Sequence, residues 1–462
     1  MHSTTARRTV WPALAATSAL ALVLAGCADT APPEGEADSV SSGIFPAELV
    51  EAATARATEI ADGAELDGTT VTMIGTWGGS ERERFLATLE PFEEATGVTV
   101  EFTGTEDYQS VIQSGVDSGN PIDVAAASSL GIVHSYAESG DLVDLNELIG
   151  EEALASGYGD GFLSSTSVDG GNYGLWSMVD NYMVWYDPGS YEGPTGTDVT
   201  WDEVSAYADE LSGSGTAPWC MGLSAGANTG WPGAYFVLDL LLKDAGPDFV
   251  EALGTGDAAW DSPEVRTAFD RFSAVVADAS TVSGGPDGAL STDPGAAGAG
   301  MYTDPAQCEL MHWGTFTAAI VLASDESLEP VDDLDFLLMP TIDPAYADAQ
   351  GYAGTILSAF SDRPEVAALM TYLASSEHAN LIAATGNWTS PNTGTDAASY
   401  PNEILAKVAT EILSSEDLVP FPTVVSQSDV TAAIYRTTAE FVQDPSTLDD
   451  NLATLDELVA GS

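Results

Sequence analysis

The spacing of apolar and polar residues changes period repeatedly along the first third of the chain. Val71, Met73 and Ile74 read as a short buried strand, and Gly78 and Gly79 break it. Ser80-Glu81-Arg82-Glu83 has the form of a capping box. Phe85, Leu86, Leu89 and Phe92 follow at helical spacing; Pro91 predicts a kink, and Gly97 a stop. Val98 to Phe102 alternates as a second strand, Tyr108 to Val116 reads as a helix, and Ile122 to Ala126 as a third buried strand. Residues 130–139 are helical again, up to Gly140. Such alternation over residues 70–145 predicts α/β architecture, with a parallel sheet flanked by helices. Ligands on such sheets bind at the carboxyl ends of the strands.

Residues 173–187 are strand-like and aromatic, with Tyr173, Trp176, Tyr182, Trp185 and Tyr186. A crossing between two lobes fits there. The following half is more helical. Trp231 to Leu242 is apolar and helical, and Ser262-Pro263-Glu264 caps a helix reaching Asp278. Residues 284–300, rich in glycine, read as loop, and Phe336 to Met339 as a strand. Arg363 to Ala384 is helical, and three more helices run to the C-terminus. No internal repeat is visible.

The N-terminus follows different rules. Arg7 and Arg8 precede an apolar stretch, Val10 to Leu24, too short for a comfortable membrane span. It ends in Leu24-Ala25-Gly26-Cys27, which resembles a bacterial lipobox and predicts a signal peptide over 1–27 with lipidation at Cys27. Residues 28–68 then read as an acidic tether and a short helix at 46–61, with the folded body starting near Thr69. The chain is thus expected to be exported and held to the membrane by lipid only. Two cysteines remain, Cys220 and Cys308. In an exported protein the pair suggests a disulfide; two buried free thiols are the alternative.

Charge narrows the function classes. The 462 residues include 11 basic and 72 acidic side chains, a formal net charge of −61. Removal of Arg7 and Arg8 with the signal would leave 9 − 72 = −63. Only Lys243 and Lys407 are lysines. Phosphate binding needs clustered Lys and Arg, so nucleic-acid binding is excluded. A basic patch for anionic lipid is excluded for the same reason. An apolar fraction of 44%, with ten Trp, argues for a packed fold rather than a solvated tail. The length suggests two domains. Such acidity points to a halophile-like adaptation, in which salt screens the repulsion.

Several segments, taken in order, carry a resemblance: Leu66-Asp67-Gly68-Thr69-Thr70, Phe92-Glu93-Glu94-Ala95-Thr96-Gly97-Val98, Asp123-Val124-Ala125, Gly140-Asp141-Leu142-Val143-Asp144-Leu145, Pro218-Trp219-Cys220-Met221-Gly222, Thr229-Gly230-Trp231-Pro232, Gly386-Asn387-Trp388-Thr389-Ser390-Pro391-Asn392 and Asp417-Leu418-Val419-Pro420. The chain resembles the extracellular solute-binding proteins of bacterial ABC importers, in the maltose-binding-protein-like group and its alpha-glucoside-binding branch. The resemblance implies a two-lobed periplasmic-binding-protein-like fold with a hinge, and parallel-rich sheets flanked by helices. Lobe 1 would comprise 69–182 and 336–376, and lobe 2 183–335 and 377–462. It implies a monomer that closes on a small-molecule sugar and docks on importer permease subunits, without cofactor or metal and without catalysis. The family's paired cysteines sit where Cys220 and Cys308 sit.

A sugar site needs flat aromatic platforms and planar polar groups aimed at hydroxyls. Trp77 ends the first strand, in a loop that contacts solute in the family, and Glu81 lies close by. Ser128 and Ser129 follow the third strand, where relatives often carry Gln-Pro-Gly. Asp180 and Asn181 sit in the crossing segment, where the family places an acidic or amide contact. Trp231 opens a helix. His312 and Trp313 follow Cys308, and Trp313 is the foremost stacking candidate. Tyr352, in the Gly351–Gly354 loop, and Trp388 complete the set. Asp429 reads as a helix cap.

Two other readings rest on the residues. A polyamine or other cation would be steered in by the negative field. Gly222-Leu223-Ser224-Ala225-Gly226 matches G-x-S-x-G and would suit a secreted serine hydrolase, with His312 or His378 as base. A further loop follows it, however, where a nucleophile elbow enters its helix directly. The four histidines, His2 among them, form no pair at metal-ligand spacing.

Overall fold

The computed structural model describes residues 43–461, apart from 106, 326, 416 and 427. The signal segment, Cys27 and the tether as far as residue 42 lie outside the described residues. Among the described residues the strands are β1 (Thr70–Gly75), β2 (Thr99–Gly104), β3 (Val124–Ala127), β4 (Ser167–Val168), β5 (Gly171–Asn172), β6 (Leu175–Tyr186), β7 (Leu310–Gly314), β8 (Asp335–Leu338), β9 (Gln350–Ala359) and β10 (Leu418–Pro420).

The first lobe follows the hydrophobic pattern closely. β1 lies between β2 and β3, parallel to both. The intervening helix Gly79–Thr96 buries Phe85, Leu89 and Phe92 on one face and ends at Gly97, whose φ of 73° suits a residue without Cβ. The capping box does not form. Gly78 occupies the N-cap and no side chain caps this helix, so Ser80 lies inside the first turn. The sheet continues beyond β3 into β9, which is antiparallel to it, so the sheet is mixed.

β6 joins the two lobes. Its first part, Leu175 to Asn181, pairs antiparallel with β9. From Tyr182 onward it pairs instead with β7 and β8. A register shift between Trp176 and Met178 interrupts the first ladder. This resets which side chains face which side. The aromatic segment of the sequence is therefore one long strand that changes partners midway.

The second lobe is built around helix Trp231–Ala245, in which twelve consecutive residues, Pro232 to Lys243, are buried. A helix apolar on all sides must be enclosed. Helices Pro263–Val275 and Ser428–Gln443 pack against it. Ser262 caps the former and Pro263 takes its first position, as expected, but it stops at Val275 rather than Asp278. Residues 284–300 are not loop: they form short helices Gly285–Ser291 and Pro294–Ala297, then a 3-10 turn from Gly298. Pro286 and Pro294 sit at helix starts, where a missing N–H costs nothing.

Cys220 and Cys308 form a disulfide across 88 residues of sequence, with Cα atoms 5.3 Å apart. Lys243 is buried in this lobe, and its Nζ donates to the Ala347 carbonyl at 2.7 Å. Burial pulls its pKa down to about 8.

Packing also extends the folded body toward the N-terminus. Helix Ala47–Ala61 lies against Gly79–Thr96 and Ser376–Ala384, with Ala53 and Ala57 fully buried. Phe45 is buried too, so the body begins there rather than near Thr69. Among the described residues no helix is long and apolar enough to cross a membrane.

Candidate functional site

A cavity of about 470 Å³ opens where the crossing strand meets the carboxyl ends of β1 and β3. Thr76 and Trp77 reach it as β1 ends, and Ser128 as β3 ends. Glu81 enters from the first turn of the next helix. β6 contributes Met178, Asp180 and Tyr182, three alternate residues and therefore one face. β9 supplies Ala353, Gly354 and Thr355. From the second lobe come Trp231 and Tyr235, one helical turn apart, and Phe316, Ala319 and Ile320, again at helical spacing. Asn387 and Trp388 close the ring. Their loop is held to β6 by a hydrogen bond from the Val179 N–H to the Thr389 carbonyl, 2.8 Å.

Each aromatic wall is braced from behind. Trp77 rests on Phe85 at 4.4 Å between centroids and meets Trp388 at 5.7 Å. Tyr182 stacks on Tyr235 at 4.0 Å and 9°. Thr423 donates to the Tyr235 hydroxyl, 3.1 Å. Trp231 is backed by Trp313 and Phe316, both 6.1 Å away. Gly354 lets β9 approach β6, since a Cβ there would lie 2.2 Å from the Met178 carbonyl oxygen.

The polar groups are tuned by enclosure. Thr315 donates to Asp180 Oδ1 at 3.0 Å. Asp180 keeps some exposure to the cavity, but protein surrounds it, and burial pushes its pKa up to about 6; the Thr315 bond opposes this and the negative charge of Glu81 adds to it. Burial also raises the Tyr182 phenol well above its ordinary value, helped by Tyr235 and Asp180. The Tyr235 phenol rises for the same first reason. Both phenols are neutral hydrogen-bond donors at physiological pH. No Lys, Arg or His is among the lining residues.

Of the residues singled out from sequence, the structure brings Trp77, Glu81, Ser128, Asp180, Trp231 and Trp388 to this cavity. The other five lie behind its walls. Asn181 follows Asp180 on a strand and so points away; its Nδ2 donates to the Gly351 carbonyl at 2.8 Å. Ser129 caps helix Leu130–Ser139 by accepting from the Ile132 N–H. His312 is buried, with Nε2 2.8 Å from Asp239 Oδ2 and its ring stacked on Phe236 at 4.2 Å. Trp313, 4% exposed, braces Trp231 and Phe316 instead of presenting its own face. Tyr352 packs between Phe162 and Trp176 on the opposite face of β9 from Ala353. Tyr182, Tyr235 and Phe316 also line the cavity, beyond the residues singled out from sequence. Tyr182 stands two residues from Asp180 on a strand and Tyr235 four from Trp231 on a helix; that periodicity was the available signal.

The G-x-S-x-G segment is no nucleophile elbow. Gly222 to Ala225 is irregular and leads into a short 3-10 turn, Gly226–Asn228, not from a strand into a helix. Asp429, expected as a helix cap, lies inside Ser428–Gln443, in its first turn.

The chain is similar to several known proteins. A family model described as bacterial extracellular solute-binding protein matches residues 78–380. The osmoprotective compounds-binding protein GgtB of Synechocystis sp. is 33% identical over 354 residues, 76% of this chain and 83% of that protein. The alpha-glucosides-binding periplasmic protein AglE of Rhizobium meliloti is 27% identical over 382 residues, covering 78% and 82%. Among solved structures, a chitin oligosaccharide binding protein superposes with a TM-score of 0.70 at 19% identity, covering 85% of this chain and 98% of that one. A maltose-bound MalE3 of T. maritima gives 0.64 at 18%, covering 85% and 99%. These likenesses show a two-lobed periplasmic-binding-protein-like fold. The chain belongs to the bacterial extracellular solute-binding proteins, in the maltose-binding-protein-like group: extracytoplasmic receptors of ABC importers, and not enzymes.

Proposed function

We propose that the protein binds a neutral sugar, an alpha-glucoside or short oligosaccharide, in this cavity and delivers it to importer permease subunits. The observation that carries this reading is the lining itself. Trp77, Trp231 and Trp388 offer flat apolar faces, while Asp180 and Glu81 accept hydrogen bonds and no cationic side chain is present. That combination suits the CH face and hydroxyl rim of a sugar and disfavours an anion. The name of AglE, an alpha-glucosides-binding protein, points the same way. GgtB's name adds osmoprotective compounds.

The mechanism is closure. Trp77 comes from the first lobe and Trp231 and Phe316 from the second, so solute contacts both lobes only when they are together. We place residues 43–68 and Ser376–Ala384 with lobe 1, because their helices pack on Gly79–Thr96. Lipidation at Cys27 would keep a monomeric receptor beside its importer.

A cationic ligand is the second reading, favoured by two carboxylates beside aromatic rings. Tryptophan fluorescence titrations separate them, since three indoles face the cavity. Maltose, trehalose, sucrose and spermidine are the probes. Saturable change with a sugar and none with spermidine is expected. Spermidine alone changing the signal would reverse the assignment.

A further inference from the structure

Asp180 sits where the long strand changes partners. Its backbone still pairs with Ala353 of β9, while Tyr182, two residues on, pairs with Gly314 of β7. Its side chain lines the cavity but is held from the second ladder. Thr315, one residue past the end of β7, donates its hydroxyl to Asp180 Oδ1 at 3.0 Å. The Thr315 N–H donates to the Asn181 carbonyl, also at 3.0 Å. One residue thus grips two neighbours on the strand, one through its side chain and one through its backbone.

The turn that carries Thr315 is itself fixed. Thr315 is 1% exposed. The Thr317 hydroxyl donates back to the Gly314 carbonyl at 2.6 Å, in the first position of helix Thr317–Ser324. A Cβ on Gly314 would run into the Phe316 ring, so glycine there lets Phe316 lie against the turn. Among the described residues the Thr315 bond is the one hydrogen bond made to the Asp180 carboxyl, and Oδ2 is left over. The titratable groups around that carboxyl are Glu81, Tyr182 and Tyr235, with His312 and Tyr435 behind the two phenols. β9, the Asn387–Trp388 pair and the helix after Thr315 present none to the cavity.

We propose that Thr315 is a positioning residue, which holds the Asp180 carboxyl by Oδ1 and presents Oδ2 to the solute's hydroxyls. The proposal rests on the sugar reading for what the carboxyl meets, and not for how it is held. Losing the hydroxyl removes a donor that favours the charged carboxylate. The test therefore follows Asp180 in the empty full-length chain first. The readout is the difference in Tm between each protein and its Asp180→Asn counterpart, measured across pH. In the wild type that difference should grow with pH and level off near 6. Thr315→Val should move the levelling point up by about one pH unit, and Thr315→Ser should bring it back. Thr315→Ala is the alternative should valine prevent folding. With maltose, trehalose or sucrose bound, the pH below which affinity falls should move by the same amount. A levelling point unmoved in Thr315→Val would overturn the proposal, as would affinity weakened equally at every pH. A shift in the empty protein, with no sugar bound by the wild type, would leave the hold on Asp180 intact and overturn the sugar reading instead.

Discussion

Asp180 shows how one residue's surroundings set its chemistry. Three effects act on the carboxyl: burial, which dominates and raises its pKa, the Thr315 hydroxyl, which opposes, and Glu81, which adds. The value of about 6 lies above the usual carboxylate range. The folded protein thus favours the neutral form. Asp180 contributes stability below its unfolded pKa, and that contribution is lost as pH rises through 6. Ligand hydroxyls donating to Asp180 favour the opposite, charged form. Sugar affinity should therefore fall as pH drops from 7.5 to 5, by up to about tenfold per pH unit below 6. Asp180→Asn should flatten that profile and raise the Tm of the empty protein at pH 7.5. An unchanged pH profile in the variant would show that Asp180 is not the titrating group.

At the scale of elements, the limits of legibility have physical causes. β1 to β3 and their helices could be read because β2 and the helices bury one face with regular spacing and β3 is a short run buried throughout. The crossing strand could be read from its aromatics. The register shift near Trp176 hides the facing of its first residues only; beyond Met178 the alternation that groups Asp180 with Tyr182 was legible. Trp231 and Trp313 looked alike in sequence, and only packing shows that one presents its face and the other braces it. The short helices after Gly284 escaped because their glycines mimic loop composition. The second lobe's disulfide is an element-scale staple. It ties the segment before β7 to Trp219 and Cys220, whose N–H donates to the Leu310 carbonyl at 2.7 Å. Constraining a loop of this length is worth roughly 4–5 kcal/mol in the chain-entropy picture. Cys220→Ala with Cys308→Ala should lower unfolding free energy in urea by about 3–5 kcal/mol. A loss under about 1 kcal/mol would mean the bridge restrains little.

The whole molecule carries −61 formal charges, and among the described residues Arg56, Arg266, Arg271, Arg363 and Lys407 form ion pairs with nearby carboxylates. Arg363 Nη2 lies 2.7 Å from Asp123, Lys407 lies 2.6 Å from Asp335 and Arg271 lies 3.2 Å from Asp244. The surplus acidity is left to the solvent, so we propose a protein suited to salt. Its Tm should rise from low to molar NaCl, as screening shortens the repulsion. A steady fall would contradict that. Closure brings two acidic lobes together, so sugar affinity should rise over the same range.

The binding expectations depend on solute lying between Trp231 and the first lobe's Trp77. The direct measurement is a calorimetric titration of the preferred disaccharide into the wild-type protein and into Trp231→Ala. Losing one stacking face should weaken binding at least tenfold, about 1.4 kcal/mol, with the thermal melt still cooperative. Equal affinity in the two proteins would contradict the account, because the solute would then bind elsewhere.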